Sequence, residues 1–197
     1  MHNYTGTQLR AVLIHNAAGG QGPFELTEDK LEPQMAISHF GPFLFTKLVT
    51  SKLLGAGSAD YTPHVVFVSS ASEGYSWAKF TEILTAAELS CRAKGRINAY
   101  GLHPGAIFTN IQQREESIKF FKAAGIITAD GRPNPAVPFE WKTIPQGAAI
   151  TVAASLDTRL DVKPGTYLWD GMAANDKMSA NSTVPPGEGG GAMGAYG

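Results

Sequence analysis

An α/β fold built on a parallel sheet is what this sequence predicts, and three observations carry the prediction. Short β-prone apolar runs alternate with longer segments of helical periodicity, in the order strand, helix, strand, helix, strand. The strand runs are apolar at successive positions, the pattern of strands covered on both faces. They stop at small or polar residues, as strands do at the carboxyl edge of a parallel sheet, and the alternation implies right-handed crossovers.

Taken in order, residues 9–15 (LRAVLIH) form the first run, which stops at Asn16-Ala17-Ala18-Gly19-Gly20. Residues 28–54 place Met35, Phe40, Phe43, Leu44 and Leu48 at helical spacing; Pro33 suits an early helical position, while Pro42 predicts a kink. HVVFVSS (64–70) is the second strand, fully buried by its pattern. Residues 75–94 return to helical periodicity through Phe80, Ile83, Leu84, Ala87, Leu89 and Cys91, so Cys91 is expected to be a small buried hydrophobe. INAYGLHPG (97–105) is a third strand running into a turn. Residues 110–142 predict a helix and then a long loop, Pro-rich after residue 132. A closing helix over 145–156 begins near Pro145, and GTYLWD (165–170) is a last short strand. From Met178 to Gly197 the composition turns to Ser, Pro and Gly, which predicts one domain over 1–177 and a disordered tail over 178–197.

Composition narrows the function classes. A formal net charge of −1 gives no electrostatic reason for binding nucleic acid or an acidic membrane surface. The single cysteine cannot form an intramolecular disulfide, which fits a reducing compartment. The N-terminus lacks an apolar signal region and no run of about 18 apolar residues occurs, so a cytoplasmic protein without a membrane span is expected. The sequons at Asn3 and Asn181 then read as chance. His2, His15, His39, His64 and His103 are scattered without ligand spacing, so no metal is expected, and no Gly-x-Ser-x-Gly elbow is present.

The candidate chemistry lies at the second strand and the helix after it. Ser70 ends the strand, and Tyr75 and Lys79 stand four positions apart at the helix start, hence on one face. An ammonium beside a phenol favours the phenolate and moves it toward general acid/base use. A serine hydroxyl can hold a substrate oxygen against that phenol. In isolation the same residues also fit an aromatic packed at a helix start with a solvated lysine one turn later.

The runs VVFVSS, YSWAK and INAYGLHPGAIFTN, in that order, resemble the second half of a short-chain dehydrogenase/reductase. VLIHNAAG resembles that family's Asn-Asn-Ala-Gly segment, and LEPQMAISHFGPFLFTKLV the helix that follows it. KTIPQGAAITVAASL and PGTYLWD resemble the closing helix and strand, most closely in the retinol-dehydrogenase-like branch. The resemblance implies part of a Rossmann-type, doubly wound parallel sheet and an oxidoreductase moving hydride between NADP or NAD (NADP preferred) and an alcohol or carbonyl. It implies Tyr75 as acid/base, Lys79 as the residue lowering its pKa and binding the nicotinamide ribose, and Ser70 as substrate positioner. It also implies Asn16 in the cofactor cleft, and Ile107 and Thr109 beside the nicotinamide. Phe120, Phe121, Ile126, Ile127 and Trp141 would form an apolar lid, hinting at a lipophilic small-molecule substrate. The helices over 28–54 and 75–94 resemble those that pair subunits, so a homodimer is expected.

The sequence also departs from the family. No Thr-Gly-x-x-x-Gly-x-Gly turn precedes residue 9, and the Gly189, Gly191 and Gly194 run follows no strand. The family leaves a longer stretch between serine and tyrosine than the five positions from Ser70 to Tyr75. Five residues still span ~17 Å, so proximity is not forbidden. Ser38 stands where the family carries an asparagine of its proton relay, and His15 replaces the first asparagine of Asn-Asn-Ala-Gly, read as tolerated divergence. Three readings follow: an enzyme, an inactive remnant acting as an interaction module, or an incomplete gene model lacking an upstream part and a segment near residue 72.

Overall fold

The computed structural model describes residues 11–18, 26–70, 76–169 and 172–173. Seven strands occur among them: β1 (Val12–His15), β2 (His64–Val68), β3 (Asn98–His103), β4 (Ala106–Ile107), β5 (Trp141–Lys142), β6 (Tyr167–Trp169) and β7 (Met172–Ala173). The main sheet runs β1-β2-β3-β6-β7, parallel throughout except for β7, and β4 pairs in parallel with β5. The expected α/β architecture is therefore present.

β2 explains why an unbroken apolar run can be a strand. Val65 and Phe67 point to one face, where Leu53, Ala86, Ala93, Ile97 and Ala99 enclose them. Val66 points to the other, against Tyr100, Leu102, Ile150, Ala154 and Leu168. The first face is covered by α2 (Gly41–Ala56) and α3 (Ser76–Ala93), the second by α5 (Ile144–Leu156). Each fully buried Val or Leu contributes roughly 1.5–3 kcal/mol. A short helix, α4 (Glu115–Ala123), precedes β5.

The helix expected over 28–54 starts as α1 (Pro33–Met35), where the Glu32 carboxylate accepts the N–H groups of Gln34 and Met35 at 2.9 and 2.7 Å. The kink expected at Pro42 is a π turn over Ala36–Phe40 directly before α2. Pro42 cannot donate to the carbonyl four residues back and its ring crowds it, and a widened turn relieves both. The inward face of this helix is not the one its apolar residues suggested. Pro42, Thr46 and Leu53 are buried, whereas Phe40, Phe43, Leu44 and Leu48 are exposed.

The same holds for α3. Ala78, Lys79, Glu82, Ala86, Ser90 and Ala93 face inward, and Cys91 is exposed, correcting the expectation of burial. Ser90 takes the inward place because its hydroxyl both donates to the Ala99 carbonyl and accepts the Ala99 N–H, at 3.1 and 2.8 Å. The next residue, about 100° round the helix, must then point away. Gly101 lets α3 sit close on β3, since a Cβ there would lie 3.1 Å from Ile83 Cα.

At the amino edge of the sheet, buried His64 faces the Ala154 carbonyl with Nδ1 (3.0 Å) and the Asp161 carboxylate with Nε2 (2.7 Å). Asn98 donates to the same Asp161 oxygen at 3.0 Å, and the Tyr100 hydroxyl donates to the Leu160 carbonyl at 2.9 Å. These bonds tie β2 and β3 to the end of α5 and the 3-10 turn after it, Thr158–Val162. Among the described residues no helix is long and apolar enough to cross a membrane, and no cluster of His, Cys, Asp and Glu could hold a metal. The tail over 178–197 lies outside the described residues.

Candidate active site

The parallel register brings the ends of β1, β2 and β3 to one edge: His15 lies opposite Phe67, and Val68 opposite Leu102. Asn16, which leaves β1, is exposed there. Its neighbour His15 is 9% exposed, stacks on Phe67 at 4.8 Å and meets Thr46 Oγ1 with Nε2 at 2.7 Å. Burial holds its pKa below the ordinary histidine value, favouring the neutral ring.

β2 runs into Ser69 and Ser70. Ser69 is buried, donates its N–H to the Leu102 carbonyl (2.7 Å) and its hydroxyl to the Lys79 carbonyl (2.6 Å), locking the start of α3 to the strand end. Ser70 is half-buried next to it. Lys79 is 3% exposed, and its ammonium donates to the Val68 carbonyl at 3.0 Å and to Glu82 Oε1 and Oε2 at 3.0 and 3.2 Å. Lys79 thus reaches the strand end that carries Ser70. Tyr75, the proposed acid/base, lies outside the described residues.

Glu82, absent from the sequence reading, is 1% exposed. Burial pushes its carboxyl up to about 7, against the pull of the Lys79 ammonium. The signal that could have found it is local: an acid three positions after a lysine lies on the same helix face.

β3 ends at His103, whose ring stands edge-on to Trp169 at 5.2 Å. Gly105 follows with φ +91°, a conformation that side chains disfavour, and a Cβ there would press within 2.6 Å of the Lys142 stem. Ile107 and Thr109 are half-buried just beyond. The Thr109 hydroxyl accepts the Ile111 N–H, and the Gln112 side chain returns to the Thr109 N–H (2.9 Å) and the Ile107 carbonyl (2.9 Å), fixing this turn. β4 and β5, unforeseen in the sequence, hold the turn against Trp141 and Lys142. Ser38, in the π turn packed on α3, is fully buried, and its hydroxyl has no hydrogen-bond partner among the described residues.

The structure therefore places Asn16, Ser70, Lys79, Ile107 and Thr109 at or beyond the carboxyl ends of three adjacent strands, where open α/β sheets take their ligands. A hydroxyl, an exposed amide and a glycine turn at one edge can bind and orient a polar, partly planar ligand, with the Lys79 ammonium buried at the strand end beside them.

No family model matches the chain. Among curated proteins it is 30% identical over 187 residues to "Short-chain dehydrogenase/reductase prx1" of Penicillium roqueforti, covering 83% of this chain and 52% of that protein. It is 29% identical over 186 residues to "Short-chain dehydrogenase TIC 32 B, chloroplastic" of Brassica napus, covering 81% and 55%. "Retinol dehydrogenase 12" of Bos taurus is 28% identical over 117 residues, covering 49% and 36%. In fold the chain is similar to carveol dehydrogenase from Mycobacterium avium in complex with NAD (TM-score 0.59, 15% identity, 81% of this chain and 62% of that one). It is likewise similar to a gluconate 5-dehydrogenase from Burkholderia cenocepacia in complex with NADP and tartrate (TM-score 0.54, 19% identity, 82% and 63%). The chain spans about half the length of the first two curated relatives. The curated relatives of the chain are thus short-chain dehydrogenases/reductases, and its parallel sheet has the Rossmann-type fold of its structural neighbours.

Proposed function

We propose that this chain provides the catalytic half of an NAD(P)-dependent oxidoreductase that interconverts an alcohol and a carbonyl. One observation carries the reading: the Lys79 ammonium is drawn to the Val68 carbonyl, at the strand end that leads into Ser70. Curated relatives are named short-chain dehydrogenases, and structural neighbours hold NAD or NADP, which supports a nicotinamide cofactor for this chain.

The residues present fit the nicotinamide end of such a cofactor. The Gly105 turn keeps backbone rather than side chain at the edge, and Thr109 and Ile107 follow it in a turn fixed by Gln112. Asn16 would face the cofactor from β1, and Lys79 would donate to the nicotinamide ribose. When bound, the cofactor supplies or accepts the hydride. Ser70 would hold the substrate oxygen, and Tyr75 would give that oxygen a proton in reduction or remove one in oxidation. Lys79 would keep the phenol acidic by its charge. NADP is preferred over NAD, and the apolar residues Phe120 and Trp141 favour a lipophilic substrate. The catalytic domain would end near residue 177, in a cytoplasmic protein.

The test is to incubate the pure chain with NADPH and a panel of aldehydes and ketones and follow cofactor oxidation. Substrate-dependent oxidation that is lost in Tyr75→Phe is expected. No oxidation, or oxidation that survives the substitution, would overturn the reading.

The exposed Phe43, Leu44 and Leu48 on α2 favour a second reading, an interaction module. An apolar face of this kind recruits a partner, and a homodimer through α2 would bury it. Light scattering checks it: a dimer is expected, and Leu48→Glu should shift it to monomer. A monomeric native chain would refute the pairing.

A further inference from the structure

We propose that Glu82 is a positioning residue for Lys79: its carboxylate clamps the ammonium against the end of β2 and sets how much of that ammonium is available at the catalytic edge. The inference rests on the reading of Lys79 as part of the site, but the clamp itself is a matter of geometry.

An ammonium has three N–H donors, and here three acceptors meet them: the Val68 carbonyl and both oxygens of Glu82. Both side chains are almost wholly out of solvent, 4% and 1% exposed, so water cannot take the place of either. A lysine held in this way can bond a ribose, or approach a phenol, only by giving up one of those acceptors. The acceptor whose hold can change is Glu82, because a carboxylate becomes neutral on protonation and a backbone carbonyl does not. The buried carboxyl has its pKa pushed up to about 7, so it crosses between clamping and releasing near neutral pH.

Among the described residues, the surroundings leave this assignment to the pair. On α3 itself, Glu88 and Arg92 pair with each other at the exposed surface. On β2, His64 sits at the opposite end of the strand with Asp161. On β3, Tyr100 bonds Leu160 on the other face of the sheet and His103 stands against Trp169. His39 of the π turn meets Phe40 and Phe43, and Glu32 caps α1. Among the described residues, the charge acting on Glu82 is that of Lys79.

The test is competitive amine labelling of the full chain with acetic anhydride, read by mass spectrometry as the ratio of Lys79 to exposed Lys94. Glu82→Gln should raise that ratio roughly tenfold, the effect of one lost charge-assisted hydrogen bond, while Glu82→Asp restores most of the protection. An unchanged ratio in Glu82→Gln, or a rise as large in Glu82→Asp, would overturn the clamp. Should Glu82→Gln fail to fold, the native chain decides alone: its ratio should fall between about pH 6 and about pH 8 as the carboxylate forms. A flat ratio refutes the proposal. NADPH oxidation is followed in parallel, and in Glu82→Gln its pH profile for kcat should shift. Protected Lys79 without oxidation removes the oxidoreductase reading and leaves the clamp; oxidation with unprotected Lys79 does the reverse.

Discussion

Gly147 is the position at which packing and the candidate site are most tightly joined. It lies in the first turns of α5, and a Cβ built there would overlap Cδ1 of Ile107 and stand 2.8 Å from its Cγ1. Gly147→Ala therefore sets two terms against each other. Alanine is favoured over glycine within a helix by about 1 kcal/mol. Forcing Ile107 from its place costs about 1–3 kcal/mol, the usual range for overpacking. The net expectation is a loss of up to about 2 kcal/mol, read from urea unfolding with an unchanged m-value. In an Ile107→Ala background the obstructing atoms are gone, and the same substitution should stabilise by up to about 1 kcal/mol. The double-mutant cycle should then show coupling of at least about 1 kcal/mol between the two positions. Because Ile107 is a proposed nicotinamide contact, Gly147→Ala should also raise KM for NADPH more than it lowers kcat. A coupling below about 0.5 kcal/mol would refute the reasoning, for it would mean that α5 and β4 yield to the added methyl freely.

Three further outcomes follow from the hydrogen bonds and the buried acids and bases. Asp161→Ala removes the acceptor shared by His64 and Asn98 and should cost about 1–3 kcal/mol in chemical denaturation. Ser90→Ala removes the hydroxyl that serves both backbone groups of Ala99 and should cost about 1–3 kcal/mol, with hydrogen exchange at the Ala99 amide rising. Stability should also respond to pH with two opposed slopes. The raised Glu82 pKa means that the folded chain holds that proton more tightly than the unfolded chain, so its contribution is complete below about 4.5 and fades as pH rises through about 7. His15, held neutral by burial, acts in the other direction and weakens the fold as pH falls below the ordinary histidine value. Unfolding midpoints across pH for Glu82→Gln and for His15→Gln check the two signs separately.

The strands were legible in the sequence because burial on both faces leaves a direct mark: in HVVFV, each of the first four residues is buried. The helices were legible as helices but not in their orientation. Apolar residues at helical spacing point outward on α2, and the inward stripe of α3 is made of Ala, Ser, Lys and Glu. Lys79 and Glu82 can face inward there because they pair with each other, and Ser90 because it bonds the Ala99 backbone. A reading that equates apolar with inward then selects the opposite face, and Cys91 was misplaced for this reason. β4 and β5 were invisible because strands of two residues have no period to detect. In the candidate site, Lys79 and the Gly105 turn were legible from motif order. Glu82 was not, since its importance arises from the burial of Lys79, which helical periodicity alone does not predict.

The two ends of the sheet differ in how their polar groups are settled, and this difference supports the proposed site. At the amino edge, each nitrogen of His64 meets an oxygen and Asn98 shares the same carboxylate. Such a closed network fixes the strands to α5. At the carboxyl edge, the buried Ser38 hydroxyl has no partner among the described residues, burial raises the Glu82 carboxyl well above its ordinary value, and burial lowers the pKa of His15. Buried polar groups without partners are rare in folded proteins, and strongly shifted carboxyl groups are unusual outside sites of function. Their gathering at the edge where Asn16, Ser70 and Lys79 also stand supports the proposal that this edge receives the ligand.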